Sequence, residues 1–452
     1  MDEQGTRKDV INEKFPVRTL GVLGFQHVLV MYSGAVIVPL ILGSAIDLSA
    51  GDIAFLISAD LFTCGIATLI QVVGFGKFIG IKLPILMGAA IITLPAMIMI
   101  AGKDGLPTMY GSILISGMFI FFLSFYVDKI IKYFPKIVSG CLVTIVGLSL
   151  TPIALEDIAG GEGSASFGNP QNFLLAIIVL LMILFINRFF KGFMKAVAIL
   201  VGLIFGTIIG GFMGMVDFSA VSEAAWFRII TPFHFGAPQF SLTGAVTMSI
   251  FATVAIVESV GMYRLVEDLT ESQITTKDIS KGVRAEGLAQ TLGAVFNGFP
   301  YVTFSENAGI MSITGVKSRY VIISASFFLM LLGVVPKFSA LATIIPSPVL
   351  GGAMLALFGT IGATGIKMIG ETDLSQTNNL LIVACSLGSG LGVESVAGLF
   401  DKMPELVTLL FGNGIFTGTL VAILLNLLFN YQDIKQERDD QKQTVVENVS
   451  TT

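Results

Sequence analysis

Long apolar runs separated by short polar stretches repeat along almost the whole chain. A helix needs roughly 20 apolar residues to cross a hydrocarbon core of about 30 Å. Full-length runs lie near residues 19–43, 53–75, 108–127, 131–152, 171–190, 192–216, 243–264, 319–335, 339–362, 376–396 and 411–430. This pattern predicts an all-α polytopic membrane protein.

Further apolar segments are short or interrupted. The segment 79–101 contains Pro84, the segment 284–299 carries Glu286, and the segment 300–315 begins with a proline. Counting these gives fourteen membrane segments, of which the third and the tenth are broken.

The basic residues support this count. With both termini in the cytoplasm, only Lys103, Arg228, Lys337 and Lys402 of the 26 basic residues fall outside, which leaves 22 inside. An excess of Lys and Arg in cytoplasmic loops is the usual orientation signal of membrane proteins. Removing one broken segment would invert every later loop and destroy the bias.

The two halves of the chain resemble each other. Proline, valine and glycine recur at the same offsets in 134–140 and 345–351, which lie 211 residues apart, and the broken segments around Pro84 and Pro300 are displaced by 216. Seven segments per half is an odd number, so the second half is inverted relative to the first. Inverted repeats with broken segments at corresponding positions predict a transporter whose substrate site lies near the bilayer midplane.

The predicted domain organisation follows from these runs. A cytoplasmic tail over 1–18 precedes the first repeat over 19–216, and an extracellular or interfacial connector over 217–242 leads to the second repeat over 243–430. The polar residues 431–452 predict a disordered cytoplasmic tail.

Composition excludes several other functions. Charged residues make up 13% of the chain, about half the share typical of soluble domains. A net charge of −5 excludes a basic surface for nucleic acid. With two histidines and three cysteines, no metal site or cofactor is expected. No nucleophile elbow, zinc motif or phosphate loop indicates an enzyme.

Acidic side chains at membrane depth are the candidate functional groups. A carboxylate there costs roughly 2.5–3.5 kcal/mol on insertion scales, so it usually faces a cavity. Glu258 and Glu306 lie beside glycines in deep positions, and Glu286 lies near the start of a segment. For Asp60 and for His27, a hydrogen bond to a neighbouring helix is an equally good explanation.

The chemistry of these groups indicates a small ligand with several N–H groups. An ionised carboxylate is an acceptor that takes two parallel N–H donors. The free backbone N–H groups of a broken helix suit carbonyl acceptors on the same ligand. A planar nucleobase offers both, whereas an anionic substrate would be repelled by the glutamates.

The residues 306–315 (ENAGIMSITG) match the signature of the nucleobase–ascorbate transporters, which is Gln, Glu or Pro, then Asn-x-Gly, four residues, Thr, and Arg, Lys or Gly. Further matches are 26–32 (QHVLVMY), 59–69 (ADLFTCGIATL) and 346–352 (PSPVLGG). The chain resembles a bacterial member of this family from about Leu20 to Asn430.

The resemblance implies core and gate domains, each drawn from both repeats, with short β-strands in the broken third and tenth segments. It also implies a homodimer that works by an elevator-like motion. For the site, it implies a substrate pocket formed by Glu258, Glu306, Ser305, Ala90, Ile91 and Phe304, with Glu286, Asn307 and His27 supporting coupling or specificity.

Differences from the family pattern bear on the substrate. Glu306 stands where bacterial xanthine permeases commonly have Gln, Met262 replaces a frequent His or Asp, and Ile91 replaces a phenylalanine that stacks on the base. We expect a proton symporter of the bacterial inner membrane that imports xanthine or another oxopurine such as uric acid. A uracil:proton symporter, sodium coupling and an anion exchanger of the same architecture are the alternatives.

Overall fold

The computed structural model describes residues 10–130, 134–161, 163–396 and 398–430. The predicted disordered tail over 431–452 lies outside the described residues, and so do the first nine residues of the predicted N-terminal tail over 1–18.

The described chain is mostly helical, with two three-residue strands. The helices are α1 Val17–Ala45, α2 Ala50–Val73, α3 Leu94–Asp104, α4 Leu106–Leu123, α5 Val127–Ile130, α6 Lys136–Ser149, α7 Thr151–Ala159, α8 Pro170–Phe189, α9 Phe193–Ala196, α10 Ala198–Phe212, α11 Ser219–Glu223, α12 Leu242–Thr270, α13 Thr276–Val295, α14 Ser305–Thr314, α15 Arg319–Gly333, α16 Pro336–Thr343, α17 Ser347–Gly370, α18 Thr377–Ser395, α19 Glu405–Phe411 and α20 Gly414–Asn430. The strands are β1 Met87–Ala89 and β2 Tyr301–Thr303, and 3-10 turns occupy Val10–Asn12, Ile91–Thr93 and Ser124–Tyr126.

Within the described residues, 7 helices are long and apolar enough to cross a membrane. The number rises to 8 when α15 and α16, which meet at a bend of 76°, count as one broken span. The remaining predicted segments contain helices that are shorter, less apolar or interrupted, so the count of fourteen segments stays a prediction.

Among the differences from the predicted runs, the break at Pro346 and the start of α13 have clear causes. The run 339–362 is divided at Pro346 into α16 and α17, because proline has no N–H to continue a helix. Helix α13 begins at Thr276, well before the predicted run 284–299, because Thr275 and Asp278 form a capping box. Hydropathy indicates which segments lie in the membrane, whereas capping groups and prolines decide where each helix begins and ends.

The chain divides into two compact units. The first comprises the residues up to Val127 together with Ile153–Ala356, and the second comprises Asp128–Pro152 together with the residues from Leu357 onwards. Each unit draws residues from both predicted repeats. The core of the second unit includes Val138, Cys141 and Ile382.

Close helix contacts build the first unit around α2, α4, α12, α13 and α15. Helices α4 and α13 approach closely at Gly117 and Gly287, where an added Cβ on Gly287 would come within 2.5 Å of the Phe121 backbone nitrogen. Small residues at helix crossings are typical of membrane proteins, since lipid provides no hydrophobic drive for association.

The strands β1 and β2 form one antiparallel pair inside the first unit. Met87 is opposite Thr303, and Ala89 is opposite Tyr301. Beyond the strands, the N–H of Phe304 donates to Leu86 O at 2.9 Å. All six strand residues are buried. The pair therefore holds the two broken segments together, with a helical stretch beginning directly after each strand.

Candidate functional site

The helical stretches after the two strands begin without a side-chain cap. Phe304 is the N-cap residue of α14, and Ala90 is the N-cap residue of the turn Ile91–Thr93 that leads into α3. The first turn of a helix carries backbone N–H groups that lack partners within the helix, and these attract acceptors. The strand pair thus positions two helix starts side by side in the interior of the first unit.

Glu258 lies near the middle of α12. This helix has 29 residues, which places Glu258 about 24 Å from its first residue and about 18 Å from its last at a rise of 1.5 Å per residue. The Glu258 side chain is exposed, and so is Gly261 one turn later. An added Cβ at Gly261 would meet nothing within 4 Å. This part of α12 therefore faces open space at mid-helix depth.

The start of α14 faces open space as well. Ser305 is exposed, Glu306 is partly exposed, and an added Cβ at Gly309 would meet nothing within 4 Å. Helices α12 and α14 are in contact, and the carboxyl groups of Glu258 and Glu306 interact electrostatically. We call the space flanked by Glu258, Gly261, Ser305, Glu306 and Gly309 the α12–α14 crevice.

Glu306 occupies the first turn of α14. A negative charge is stabilised there by the helix dipole. The Ser305 hydroxyl donates a hydrogen bond to Glu306 Oε2 at 2.9 Å. The crevice therefore contains two carboxyl groups, a hydroxyl group and a helix N-terminus, which is a set that accepts N–H donors and also binds carbonyl oxygens.

The Phe304 ring fits between two glycines. A Cβ on Gly34 of α1 would overlap the tip of the ring, and a Cβ on Gly88 of β1 would lie 2.6 Å from its Cδ2. Any larger residue at either position would displace the ring. Phe304 and Ile91 are both partly exposed, so they are placed to line the pocket as the resemblance implies.

The backbone groups of Ala90 are engaged within the protein. Its N–H donates to Pro300 O at 2.8 Å, and its carbonyl accepts from the Thr93 N–H and hydroxyl. A ligand contact to Ala90 stays a prediction, and the backbone at Ser305 is the more open of the two predicted backbone contacts.

Asn307 and His27 lie behind the crevice. Asn307 Nδ2 donates to Pro84 O at 2.9 Å, which joins α14 to the first broken segment. The imidazole of His27 is 3% exposed and lies against Asn307. These two residues therefore connect α1 and α14 to the segment that precedes β1, and their support role stays a prediction.

Glu286 is sealed within the first unit, with 3% of its surface exposed. The Tyr263 hydroxyl donates to its Oε1 at 2.5 Å, and Gln71 Nε2 donates to the Tyr263 oxygen at 2.6 Å. The Ser259 hydroxyl lies beside the same carboxyl group. Glu286 is thus outside the crevice, although Ser259 is the residue next to Glu258.

Asp60 is also sealed and belongs to a different cluster. It is fully buried, and Cys64 Sγ lies 3.6 Å from its Oδ1. Its Oδ2 has no hydrogen-bond partner among the described residues. The nearby Tyr301 hydroxyl bonds the Thr63 hydroxyl. The structure therefore separates Asp60 from the crevice.

Ser259, Tyr263, Gln71 and Thr303 were not predicted from the sequence as parts of the site. Ser259 and Tyr263 are four residues apart, so they share one face of α12. Polar residues at this spacing in an apolar helix were a signal that could have identified them.

The described residues contain no group of three or more His, Cys, Asp or Glu side chains that could hold a metal.

Comparisons with known proteins identify the family of the chain. Residues 18–399 match the model of the family Xan_ur_permease, described as a permease family. The chain is 48% identical to the nucleobase transporter PlUacP of Paenibacillus larvae over 94% of its own length and 98% of the relative. The same identity and the same shares hold for the xanthine permease of Bacillus subtilis. It is 39% identical to the uric acid transporter UacT of Escherichia coli, over 95% and 90% of the two chains.

Solved structures with little sequence identity share the fold. The transmembrane domain of the cyanobacterial bicarbonate transporter BicA aligns with a TM-score of 0.55 at 15% identity, over 92% of this chain and 99% of that one. SLC26A9 aligns with a TM-score of 0.63 at 12% identity, over 92% and 66% of the two chains. These likenesses confirm the predicted fold class.

Proposed function

The chain belongs to the nucleobase–ascorbate transporter family of permeases, and we propose that it imports an oxopurine, xanthine or uric acid, in symport with protons. Members of this family are membrane transporters, so the prediction that the protein is not an enzyme is confirmed. The proposed location is the cell membrane of a bacterium.

The observation that carries the proposal is the placement of Glu258 and Glu306 on two contacting helices that flank the α12–α14 crevice. Both residues have exposed surface, helix α12 packs against β2, and α14 begins directly after β2. Ring N–H groups of an oxopurine would donate to these carboxyl groups. Its carbonyl oxygens would accept from the Ser305 hydroxyl and the first turn of α14.

The same charges support the proposed proton coupling. Two carboxylates that share a site resist simultaneous ionisation. Among the described residues, no Lys or Arg forms an ion pair with Glu258, Glu286 or Glu306. A proton that enters with the base would offset the negative charge, whereas an anion exchanger would need positive charge in the crevice.

The relatives support an oxopurine rather than uracil. The names of three bacterial relatives specify xanthine or uric acid, and the chain aligns with them over nearly its full length. On the resemblance alone we also propose a homodimer with cytoplasmic termini and an elevator-like motion of a core domain against a gate domain.

The test is uptake of radiolabelled xanthine into proteoliposomes with an imposed pH gradient and no sodium. We expect an inside-alkaline gradient to stimulate uptake, and unlabelled xanthine and uric acid to compete more strongly than guanine or uracil. Stimulation by a sodium gradient alone would assign sodium as the coupling ion. Dominant competition by uracil would identify a uracil carrier, and bicarbonate exchange without base uptake would identify an anion exchanger.

A further inference from the structure

A continuous chain of buried polar groups connects Glu286 to strand β2. The Ser259 hydroxyl lies beside the Glu286 carboxyl group and accepts a hydrogen bond from the Thr303 N–H at 3.1 Å. Ser259 is fully buried. A single hydroxyl group therefore contacts both the sealed acid and the strand that precedes Phe304, Ser305 and Glu306.

The Tyr263 hydroxyl forms a second connection between the same partners. It donates to Glu286 and lies near the Thr303 side chain. Gln71 fixes this tyrosine, because its Nε2 donates to the Tyr263 oxygen at 2.6 Å and to Gly282 O at 3.3 Å. The Tyr263 ring also packs against Gly282, where an added Cβ would lie 2.7 Å from the ring. The tyrosine therefore has little freedom to turn away.

The Thr303 hydroxyl is the member of this network that lacks a hydrogen-bond partner within the described residues. Thr303 is 1% exposed, and its Oγ1 has no hydrogen-bond partner among the described residues. A buried polar atom without a partner costs about 1–3 kcal/mol. A small change in the direction of the neighbouring hydroxyl groups would satisfy it.

Protonation of Glu286 provides that change. An ionised carboxylate only accepts hydrogen bonds, so it holds the hydrogens of Ser259 and Tyr263 toward itself. A protonated carboxyl group donates one hydrogen bond. One of the two hydroxyl hydrogens is then released and becomes available to Thr303 Oγ1.

We propose that Ser259 is a positioning residue that couples the protonation of Glu286 to the substrate-binding strand β2, with Tyr263 holding Glu286 in place. The inference rests on the proposed function, because it assigns a role in proton coupling. It explains how a sealed acid acts on a crevice that it does not line.

The groups around Glu286 define the expected pH response. On α12 the ionisable groups that interact with Glu286 are Tyr263, through a hydrogen bond, and Glu258, through the repulsion of like charges. The group that α2 presents to this network is Gln71, which has no charge. On α13 itself, Arg284 points away and donates to Phe78 O and Ser124 Oγ. Glu258 is therefore the other acid whose titration must be separated from that of Glu286.

The experiment measures the Kd of radiolabelled xanthine as a function of pH in purified, folded protein. In the wild type we expect about tenfold tighter binding at the acidic end than at the alkaline end. Xanthine itself loses a proton in this range, so the profile of Glu286→Gln serves as the baseline. Ser259→Ala should flatten the wild-type profile to this baseline, and Ser259→Thr, which keeps the hydroxyl, should restore it.

The matched control is Ser249→Ala on the same helix, since within the described part of the chain the Ser249 hydroxyl bonds only the Ala245 carbonyl of its own helix. This variant should keep the wild-type profile. In the double variant Glu286→Gln with Ser259→Ala, no additional flattening is expected. If Ser259→Ala fails to fold, Ser259→Cys replaces it, and a partly flattened profile is expected because a thiol is a weak donor.

Uniformly weaker binding by Ser259→Ala at every pH, with the full pH response retained, would overturn the proposal and leave a structural role. Failure of the proposed function has a different signature. In that case the wild-type protein would bind no oxopurine, or its uptake would ignore the pH gradient.

Discussion

The α12–α14 crevice and the sealed interior both contain acidic side chains, in opposite surroundings. At the crevice, Glu258 and Glu306 have exposed surface and lie near exposed glycines. In the interior, Asp60 is buried against a thiol group and Glu286 against a hydroxyl group. An accessible acid exchanges partners with an incoming ligand, whereas a sealed acid exchanges only a proton.

Under the proposed function, this difference assigns two tasks to different acids. We expect the acids that flank the crevice to recognise the substrate, and a sealed acid with a hydroxyl connection to β2 to hold the coupling proton. Among the two sealed acids, Glu286 has that connection through Ser259.

The largest effect is expected for Glu258→Gln. The amide keeps the size of the side chain but replaces an acceptor with a donor, so one N–H group of the base loses its partner. The Kd for xanthine should rise about 10- to 100-fold, measured by equilibrium binding to purified protein. The control is Glu267→Gln near the end of the same helix, where Glu267 pairs with Arg264 at 2.8 Å. Near-normal affinity in folded Glu258→Gln would remove this residue from the site.

Glu286→Gln is expected to separate accumulation from binding. Because the amide carries no titratable proton, gradient-driven accumulation of xanthine should fall about tenfold or more. Exchange of internal for external xanthine, which needs no net proton movement, should continue. Both are measured in proteoliposomes. Loss of both exchange and accumulation would instead show that Glu286 takes part in substrate recognition, as Glu258 and Glu306 are proposed to do.

Glu306→Gln should change the ranking of ligands. A glutamine offers a donor pair as well as an acceptor, and one mismatched polar contact changes relative affinities by about tenfold. Competition by xanthine, uric acid, guanine and uracil measures the ranking. Equal weakening of all four bases, with their order retained, would show that Glu306 only braces the start of α14.

The smallest effect is expected for Asp60→Asn. A fully buried carboxyl group without an ion-pair partner in the described chain is far cheaper to bury in its neutral form. A neutral amide of similar size should therefore change the Kd for xanthine by less than about threefold. Binding assays and thermal unfolding measure the two consequences. A loss of affinity comparable to that of Glu258→Gln would show that a buried acid affects substrate binding as strongly as an acid that flanks the crevice.

The sequence by itself determined the class of the protein and its main landmarks. Apolar run length indicates membrane spans, and prolines and glycines mark broken segments, because both are local properties of the chain. The signature over 306–315 identified the family, which the comparisons confirmed. The deep acids were found because a charge at membrane depth is costly wherever the chain folds.

Only the tertiary structure decided which acids have exposed surface and which are sealed. Tyr263 and Gln71 are 192 positions apart in the sequence, yet they share a hydrogen bond. Phe304 meets Gly34 and Gly88 from two distant segments. Hydropathy also failed to locate the ends of α13 and the break at Pro346, where capping and proline chemistry prevail. Burial and hydrogen bonding depend on residues that folding brings together, so no local pattern in the chain specifies them.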